Sequence, residues 1–239
     1  QTGLTGEVSA VQTDYTFTPP PIPVVAVRDS TRVFPVHRIY CVAQNYAEHA
    51  REMGSTGREK PRFFAKPADA VCAGGTLPFP SCTENLHHEV ELVIALGRAG
   101  HRVTPRQAQD MVFGYAVGCD LTRRDLQAAS REAGGPWTTA KGFDRSAPIS
   151  AITPKAGCRD AGNSAISLAV NGEVRQQGTT ADMIWNVPEV ISELSRFFEL
   201  QPGDLVFTGT PAGVGPLEPG DEVSCRIETV GSLCFSLAG

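Results

Sequence analysis

Residues 87–96 read HHEVELVIAL, an apolar run that carries two carboxylates near its beginning. A short apolar run of this kind is typical of a buried β-strand. Because side chains alternate between the two faces of a strand, Glu89 and Glu91 would point to the same face. The spacing alone leaves two interpretations open, which are the solvated face of an edge strand and a functional site.

A second apolar stretch ends in a carboxylate and favours the site. Residues 112–119 read VFGYAVGC and predict another strand, which Asp120 and the polar, helix-like segment 121–127 follow directly. Three carboxylates gathered in a partly buried pocket repel each other unless a cation neutralises them. Oxygen ligands suit Mg²⁺, Mn²⁺ or Ca²⁺ better than zinc. The sequence therefore predicts a divalent-metal site at Glu89, Glu91 and Asp120.

The composition indicates a β-rich α+β protein. The 239 residues include 24 Gly and 18 Pro, which favour many turns and short strands over long helices. We expect helices at residues 45–53, 105–111 and 187–200. We also expect an N-terminal arm over residues 1–35 and one catalytic domain over residues 36–239.

Two further local signals predict strands. Residues 38–42 read RIYCV, as a short buried strand would. Asn171-Gly172 lies between two strand-like runs, residues 166–170 and 173–175. The Asn-Gly pair suits a two-residue type I′ turn, so these runs predict a β-hairpin.

The bulk properties exclude several functions. The formal net charge is −5 and no basic stripe is present, so we expect no nucleic-acid partner. No stretch approaches the roughly 20 apolar residues that span a bilayer, and residues 1–11 lack the features of a signal peptide. We therefore expect a cytoplasmic protein without membrane association. Seven cysteines, an odd number without close pairs, favour reduced thiols over a disulfide framework or a zinc knuckle.

Taken together in order, six motifs resemble the fumarylacetoacetate hydrolase family, and the likeness runs from about Ile39 to the C-terminus. The motifs are NY with His and Glu at 45–52, HExEL at 88–92, GY with DxTxRDxQ at 114–127, KGFD at 141–144, VNGExxQ at 170–176 and GDLVFTGTPxGVG at 203–215. The resemblance implies a mixed β-roll or β-sandwich with peripheral helices, and it implies a homodimer.

The resemblance also implies a role for each site residue. It makes Glu89, Glu91 and Asp120 the metal ligands, with Mg²⁺ or Mn²⁺ as the ion and Ca²⁺ as a further possibility. The catalytic residues that it implies are His49, Glu52 and Lys141, and the substrate-binding residues are Arg124, Gln127 and Thr210.

The spacing of the two residues is compatible with the proposed catalytic pair but does not by itself favour it. His49 and Glu52 are three apart, so they would share a face on one helical turn. A carboxylate that orients an imidazole produces a general base near neutral pH. A surface contact of little consequence is the alternative that the spacing leaves open.

The resemblance implies metal-dependent hydrolysis of a carbon–carbon bond in a small β-diketo acid. The whole-chain pattern is most similar to fumarylpyruvate and maleylpyruvate hydrolases of gentisate-type aromatic catabolism, which release pyruvate with fumarate or maleate. Three alternatives stay open: an oxaloacetate decarboxylase, a dicarboxylate isomerase on the same site, and a non-catalytic homologue.

One position departs from the family pattern. Ala43-Gln44 stands where Gly, often followed by Arg or Leu, is usual. Because alanine is more restricted in backbone conformation than glycine, the substitution bears on the conformation of this loop.

Overall fold

The computed structural model describes residues 14–46 and 59–239. These residues contain eighteen strands and four α-helices. The strands are β1 (Val24–Ala26), β2 (Val33–Pro35), β3 (Ile39–Ala43), β4 (Arg62–Lys66), β5 (Val71–Cys72), β6 (Gly75–Leu77), β7 (Leu86–His88), β8 (Val90–Leu96), β9 (Val112–Cys119), β10 (Thr122–Arg123), β11 (Ala147–Pro148), β12 (Thr153–Pro154), β13 (Ala165–Val170), β14 (Glu173–Thr179), β15 (Leu205–Phe207), β16 (Gly215–Leu217), β17 (Glu222–Ile227) and β18 (Gly231–Leu237). The helices are α1 (Pro105–Met111), α2 (Arg124–Glu132), α3 (Thr138–Lys141) and α4 (Val187–Leu194).

Two large sheets organise the fold. One has six strands in the order β12-β9-β8-β15-β3-β4, and the other has five in the order β14-β13-β17-β18-β6. A three-stranded sheet, β10-β7-β16, and two strand pairs, β1-β2 and β11-β5, complete the pairing of the described strands. The predicted β-rich α+β class with few helices is confirmed.

Strand β8 lies at the centre of the molecule and is buried along its whole length. Leu92 and Ile94 pack into the hydrophobic cluster that also holds Leu168 of the five-stranded sheet. The alternate side chains, Val93 and Ala95, enter a second cluster on the other face. A strand that is apolar on both faces is typical of a sheet covered on both sides. The interpretation as a solvated edge strand is therefore wrong.

The local turn signals fold as the sequence predicts. Helix α1 begins with a capping box, in which Thr104 accepts a hydrogen bond from the Gln107 backbone and the Gln107 side chain accepts one from Thr104. Pro105 occupies the first turn, where its missing N–H removes no helical hydrogen bond. Asn171 and Gly172 both have positive φ, 53° and 81°, as a type I′ hairpin requires.

The predicted helix over residues 187–200 is too long at its C-terminal end. Helix α4 ends at Leu194, and the next residues form tight turns. Leu200 uses both of its backbone groups to pair with Gly100, at 2.9 and 3.0 Å. Because these groups pair across the fold, they are not available to a continuing helix.

The predicted helix over residues 45–53 is wrong at its start. Tyr46 forms an isolated β-bridge with Met183. The Asn45 side chain donates to the carbonyl oxygens of Trp185 and Thr208, at 3.0 and 2.8 Å. These long-range contacts hold residues 45–46 in a non-helical path, and the rest of the predicted helix lies outside the described residues.

The segment before residue 36 contributes to the core. Val25 of β1 and Phe34 of β2 are buried in the second hydrophobic cluster, beside Val93. The division into an arm over 1–35 and a domain over 36–239 stays a prediction. No helix in the described residues combines the length and apolar character needed to cross a bilayer. All seven cysteines are free thiols, and four of them are buried.

Candidate active site

The structure brings the three predicted carboxylates together. Glu89 lies between β7 and β8, Glu91 lies in β8, and Asp120 follows β9 directly. One carboxylate oxygen from each lies within 4.8 Å of the others, and all three residues are buried. The Asp120 backbone N–H donates to the Glu89 carbonyl oxygen at 2.8 Å, which fixes the end of β9 against the start of β8.

Two glycines allow this close packing. Gly118 lies opposite Glu91 in the ladder between β8 and β9, and a Cβ there would lie 2.5 Å from the Phe207 ring. Gly209 has a φ of 95°, which favours glycine, and a Cβ there would lie 2.8 Å from Asn45. The Gly209 backbone N–H is thereby free to approach Glu91 and donates to its Oε2 at 2.7 Å.

Two of the predicted cationic side chains contact the carboxylates. Lys141, at the end of α3, donates from Nζ to Glu89 Oε2 at 2.8 Å and to Asp120 Oδ2 at 2.7 Å. Arg124, the first residue of α2, donates to Glu89 Oε1 and to the side-chain oxygen of Gln127. The predicted residues Lys141, Arg124 and Gln127 therefore all lie at this site.

Lys66 is the third cationic side chain at the carboxylates, and the sequence did not reveal it. It ends β4, is fully buried, and places its Nζ 2.8 Å from Asp120 Oδ1. The same ammonium donates to the carbonyl oxygens of Leu121 at 3.2 Å, Ser146 at 3.0 Å and Lys141. An apolar strand that ends in a lone lysine carries no local signal of such a role.

The surroundings shift the pKa values of Glu89 and Glu91 in opposite directions. Burial alone would raise the pKa of Glu89, but Lys141 and Arg124 hold that pKa well below its usual range. Burial, followed by the negative charges of Asp120 and Glu89, raises the pKa of Glu91 well above its usual range. Lys141 is stabilised as the cation, since Asp120 and Glu89 raise its pKa against the opposing effect of burial.

The donor set fits a divalent metal ion. Glu91 accepts the Gly209 N–H and forms no ion pair with any described residue, so its charge is the least compensated of the three. Buried carboxylates without enough positive charge are stabilised by a cation, and oxygen-only ligands suit Mg²⁺ or Mn²⁺. Glu89, Glu91 and Asp120 could therefore bind such an ion.

A buried glutamine ties the site to the five-stranded sheet. Gln176 of β14 accepts from the Val90 backbone N–H at 3.1 Å, and its Nε2 donates to Thr210 Oγ1 at 2.8 Å and to the Pro211 carbonyl oxygen at 2.9 Å. Its Oε1 also lies 3.0 Å from His88 Nδ1. Gln176 belongs to the VNGExxQ motif, but no local pattern in the sequence places it next to the carboxylate cluster.

Thr210 lies at the site, as predicted, and its hydroxyl is already engaged. The hydroxyl donates to the Val90 carbonyl oxygen at 2.8 Å and accepts the hydrogen bond from Gln176. Val90 stands between Glu89 and Glu91, so Thr210 holds the backbone between these two carboxylates. Its role as a substrate-binding residue stays a prediction.

A cavity of about 470 Å³ opens beside the carboxylates. All three carboxylates line it, together with the predicted residues Arg124, Gln127, Lys141 and Thr210. Ala43 and Gln44 also line it. Ala43 ends β3 in extended conformation, and Gln44 takes the positive φ, 57°, so alanine at position 43 is compatible with this turn. His49 and Glu52 lie outside the described residues.

Comparison with known proteins is consistent with this geometry. Residues 38–238 match the family described as fumarylacetoacetate (FAA) hydrolase, C-terminal. Oxaloacetate tautomerase YcgM of Escherichia coli (strain K12) is 47% identical over 82% of this chain and 90% of the relative. Oxaloacetate tautomerase FAHD1, mitochondrial, of Mus musculus is 44% identical over 83% of this chain and 90% of the relative.

A solved structure matches over more of the chain. It is fumarylpyruvate hydrolase from Pseudomonas aeruginosa in complex with Mn²⁺ and pyruvate. It shares 48% identity, with a TM-score of 0.91, and the match covers 94% of this chain and 99% of that one. A bound divalent metal in this neighbour agrees with the carboxylate cluster described above.

Proposed function

The chain belongs to the fumarylacetoacetate hydrolase family, and on that premise we propose that it hydrolyses a carbon–carbon bond in a 2,4-dioxo acid of the fumarylpyruvate type and releases pyruvate. The likeness to the fumarylpyruvate hydrolase of Pseudomonas aeruginosa carries the proposal, because it extends over 94% of this chain. The buried carboxylate cluster and the adjoining cavity supply the site that such a reaction requires.

The reaction needs a place for the negative charge that develops on the departing enolate. A divalent cation held by Glu89, Glu91 and Asp120 would supply Lewis-acid chemistry at the 2-oxo acid end of the substrate. Lys141 would add a fixed positive charge at the same end, because its ammonium lies within 2.8 Å of two of these carboxylates. Arg124 and Gln127, joined to each other at the start of α2, would orient the substrate.

Hydrolysis also needs a water molecule that attacks the carbonyl carbon next to the scissile bond. We propose that His49 removes a proton from this water and that Glu52 orients the imidazole. The proton then passes to the carbon of the departing enolate, which becomes the methyl group of pyruvate.

Oxaloacetate tautomerase is the second candidate function. The names of the Escherichia coli and Mus musculus relatives favour it, since both are oxaloacetate tautomerases at 47% and 44% identity. Tautomerisation moves a proton between carbon and oxygen and breaks no carbon–carbon bond. Decarboxylation of oxaloacetate would release pyruvate on the same site, so product identity separates the three reactions.

The test supplies the protein, loaded with Mn²⁺ or Mg²⁺, with fumarylpyruvate, maleylpyruvate and oxaloacetate. We expect pyruvate together with fumarate or maleate from one of the first two acids. Turnover of oxaloacetate alone would contradict the hydrolase assignment, and interconversion of its enol and keto forms without pyruvate would indicate the tautomerase.

Two variants separate the metal ligands from the proposed base. Asp120→Ala should bind no Mn²⁺ and should show no turnover. His49→Ala should bind Mn²⁺ as the wild type does, while kcat falls by about 10²- to 10⁴-fold, the range of a lost general base. Full activity after exhaustive treatment with a chelator would show that the reaction does not need a metal.

A further inference from the structure

One face of helix α2 lines the cavity for its whole length. The lining residues are Arg124, Gln127, Ala128, Arg131 and Glu132. Their spacing, 0, 3, 4, 7 and 8 residues from the first, is that of one helical face. The helix therefore presents a row of side chains that leads from the carboxylate cluster along the cavity.

The two arginines of this row stand at different depths. Arg124 contacts Glu89 and so marks the end where the 2-oxo acid would bind. Arg131 lies seven residues farther along the same helix, which is roughly 10 Å along its axis. The cavity thus has a second cationic group about two helical turns from the metal ligands.

An apolar wall joins the charged end to the rest of the cavity. The Phe64 ring centroid lies 5.1 Å from Lys141 Nζ, and the Trp137 ring packs against Phe64 at 5.6 Å. Both rings line the cavity, as does Val42. A hydrocarbon segment, and in particular a planar double bond, would pack well against this wall.

We propose that Arg131 binds the far carboxylate of an extended, seven-carbon dicarboxylic substrate and so determines the specificity of the site. The inference rests on the proposed function, which supplies the 2-oxo acid that occupies the metal end. In such an acid, six carbon–carbon bonds of about 1.5 Å each separate the two carboxyl carbons, and the extended chain spans roughly 8 Å. The long side chain of Arg131 covers the remaining distance, and its planar guanidinium suits a carboxylate.

The charges of the cavity agree with a dicarboxylate. Among the described residues, four cationic and four anionic side chains line it. The cations are Arg62, Arg124, Arg131 and Lys141, and the anions are Glu89, Glu91, Asp120 and Glu132. For these described residues, a divalent cation at the carboxylate cluster would leave a net charge of two positive units, which a dianionic acid would neutralise. Arg62 also lines the cavity, but it lies on β4 and not in the row of α2 side chains that leads from the carboxylate cluster.

The experiment compares two acids that differ only in the far carboxylate. Both 2-oxoheptanedioate and 2-oxoheptanoate carry the metal-binding 2-oxo acid, and neither has the 4-oxo group that hydrolysis needs. Calorimetric titration of the Mn²⁺-loaded protein should show tighter binding of the dicarboxylate. The variant Arg131→Gln should weaken binding of the dicarboxylate by about tenfold or more, the range of a hydrogen bond to a charged group, and should leave the monocarboxylate unchanged.

Arg131→Lys should retain part of this selectivity, because it keeps the charge. The matched control is Arg106→Gln on the exposed surface of α1, which should bind both acids as the wild type does. Equal effects of Arg131→Gln on both acids, or a selective effect of Arg62→Gln instead, would overturn the inference. Failure of the proposed function appears separately, as the absence of pyruvate release from both fumarylpyruvate and maleylpyruvate by the wild type, because the binding comparison does not depend on turnover.

Discussion

At the level of single residues, Lys66 contacts both Asp120 and the backbone of Lys141. Its side chain is fully buried, and its ammonium lies between Asp120 and the carbonyl oxygens of Leu121, Lys141 and Ser146. It therefore contacts Asp120, a proposed metal ligand, and the backbone of Lys141, whose ammonium bridges Asp120 and Glu89. We assign it a positioning role, since in this structure it acts on Asp120 and Lys141.

Lys66→Met should destabilise the protein strongly. Methionine has similar volume, but it leaves Asp120 with one cation fewer and removes the donor for three buried carbonyl oxygens. Breaking a buried ion pair of this kind lowers the free energy of unfolding by about 3–5 kcal/mol. We expect a loss of this size for Lys66→Met, and urea denaturation measures it. The control Lys155→Met removes an exposed ammonium, and we expect a change of at most about 1 kcal/mol there.

The positioning role has a second readout. At a low temperature, where Lys66→Met is folded, kcat should fall because Lys141 loses its contact with Lys66. The dissociation constant for Mn²⁺ should change by a smaller factor than kcat, because all three carboxylates remain. A loss of stability below about 1 kcal/mol with unchanged kcat would refute both statements.

At the level of secondary structure, Gln176 joins elements that are remote in sequence. It lies on β14 of the five-stranded sheet, and it satisfies the Val90 N–H of β8 and the Pro211 carbonyl oxygen before β16. Val90 stands between Glu89 and Glu91, two of the proposed metal ligands. One side chain thus couples the position of a hairpin strand to the geometry of the site.

Gln176→Leu should therefore weaken both folding and metal binding. Leucine leaves the Val90 N–H and the Pro211 carbonyl buried without these partners, and each such group destabilises by about 1–3 kcal/mol. We expect the free energy of unfolding to fall by about 2–4 kcal/mol and the affinity for Mn²⁺ to fall with it. Denaturation and calorimetric titration measure the two effects.

The next residue supplies a matched control. Gln177 follows Gln176 on β14 but is exposed, because successive strand residues face opposite sides. Gln177→Leu should change the free energy of unfolding by no more than about 0.5 kcal/mol. Similar losses in the two variants would show that leucine itself, and not the lost hydrogen bonds of Gln176, is responsible.

These elements show which parts of the fold the sequence could predict. Thr104 with Pro105, and Asn171 with Gly172, act on their immediate neighbours, so the start of α1 and the β13–β14 turn were predictable. The end of α4 depends on the pairing of Leu200 with Gly100 across the fold, and no local pattern reports it.

The same distinction holds for the site. Glu89, Glu91 and Asp120 flank long apolar strands and belong to recognisable motifs, so their convergence was predictable. Lys66 lies 54 residues before Asp120 in the chain, and its role follows from the antiparallel pairing of β3 with β4 at the edge of the six-stranded sheet. Contacts of this range depend on the complete topology.

For the whole molecule, we expect the carboxylate cluster to link metal binding to folding. The carboxylates lie at the ends of the central strands β8 and β9, where unfolding would separate them. A metal ion that binds only the folded state at 100 times its dissociation constant stabilises by about 2.7 kcal/mol. In a domain of this size, about 1 kcal/mol corresponds to roughly 2–4 °C, so saturating Mn²⁺ should raise Tm by about 5–10 °C and a chelator should reverse the rise.

The order of thermal stability of the wild type and Glu91→Gln should differ between chelator and saturating Mn²⁺. In chelator, the variant should have a Tm equal to or above that of the wild type, because the amide oxygen can still accept the Gly209 N–H while the charge facing Glu89 and Asp120 is gone. In Mn²⁺, the wild type should gain the full shift and the variant little of it, because one anionic ligand is lost. Differential scanning calorimetry of both proteins, in chelator and in Mn²⁺, measures the four Tm values. A variant that is less stable than the wild type by the same amount with and without Mn²⁺ would show that Glu91 serves packing alone, since only a ligand role makes its contribution depend on the metal.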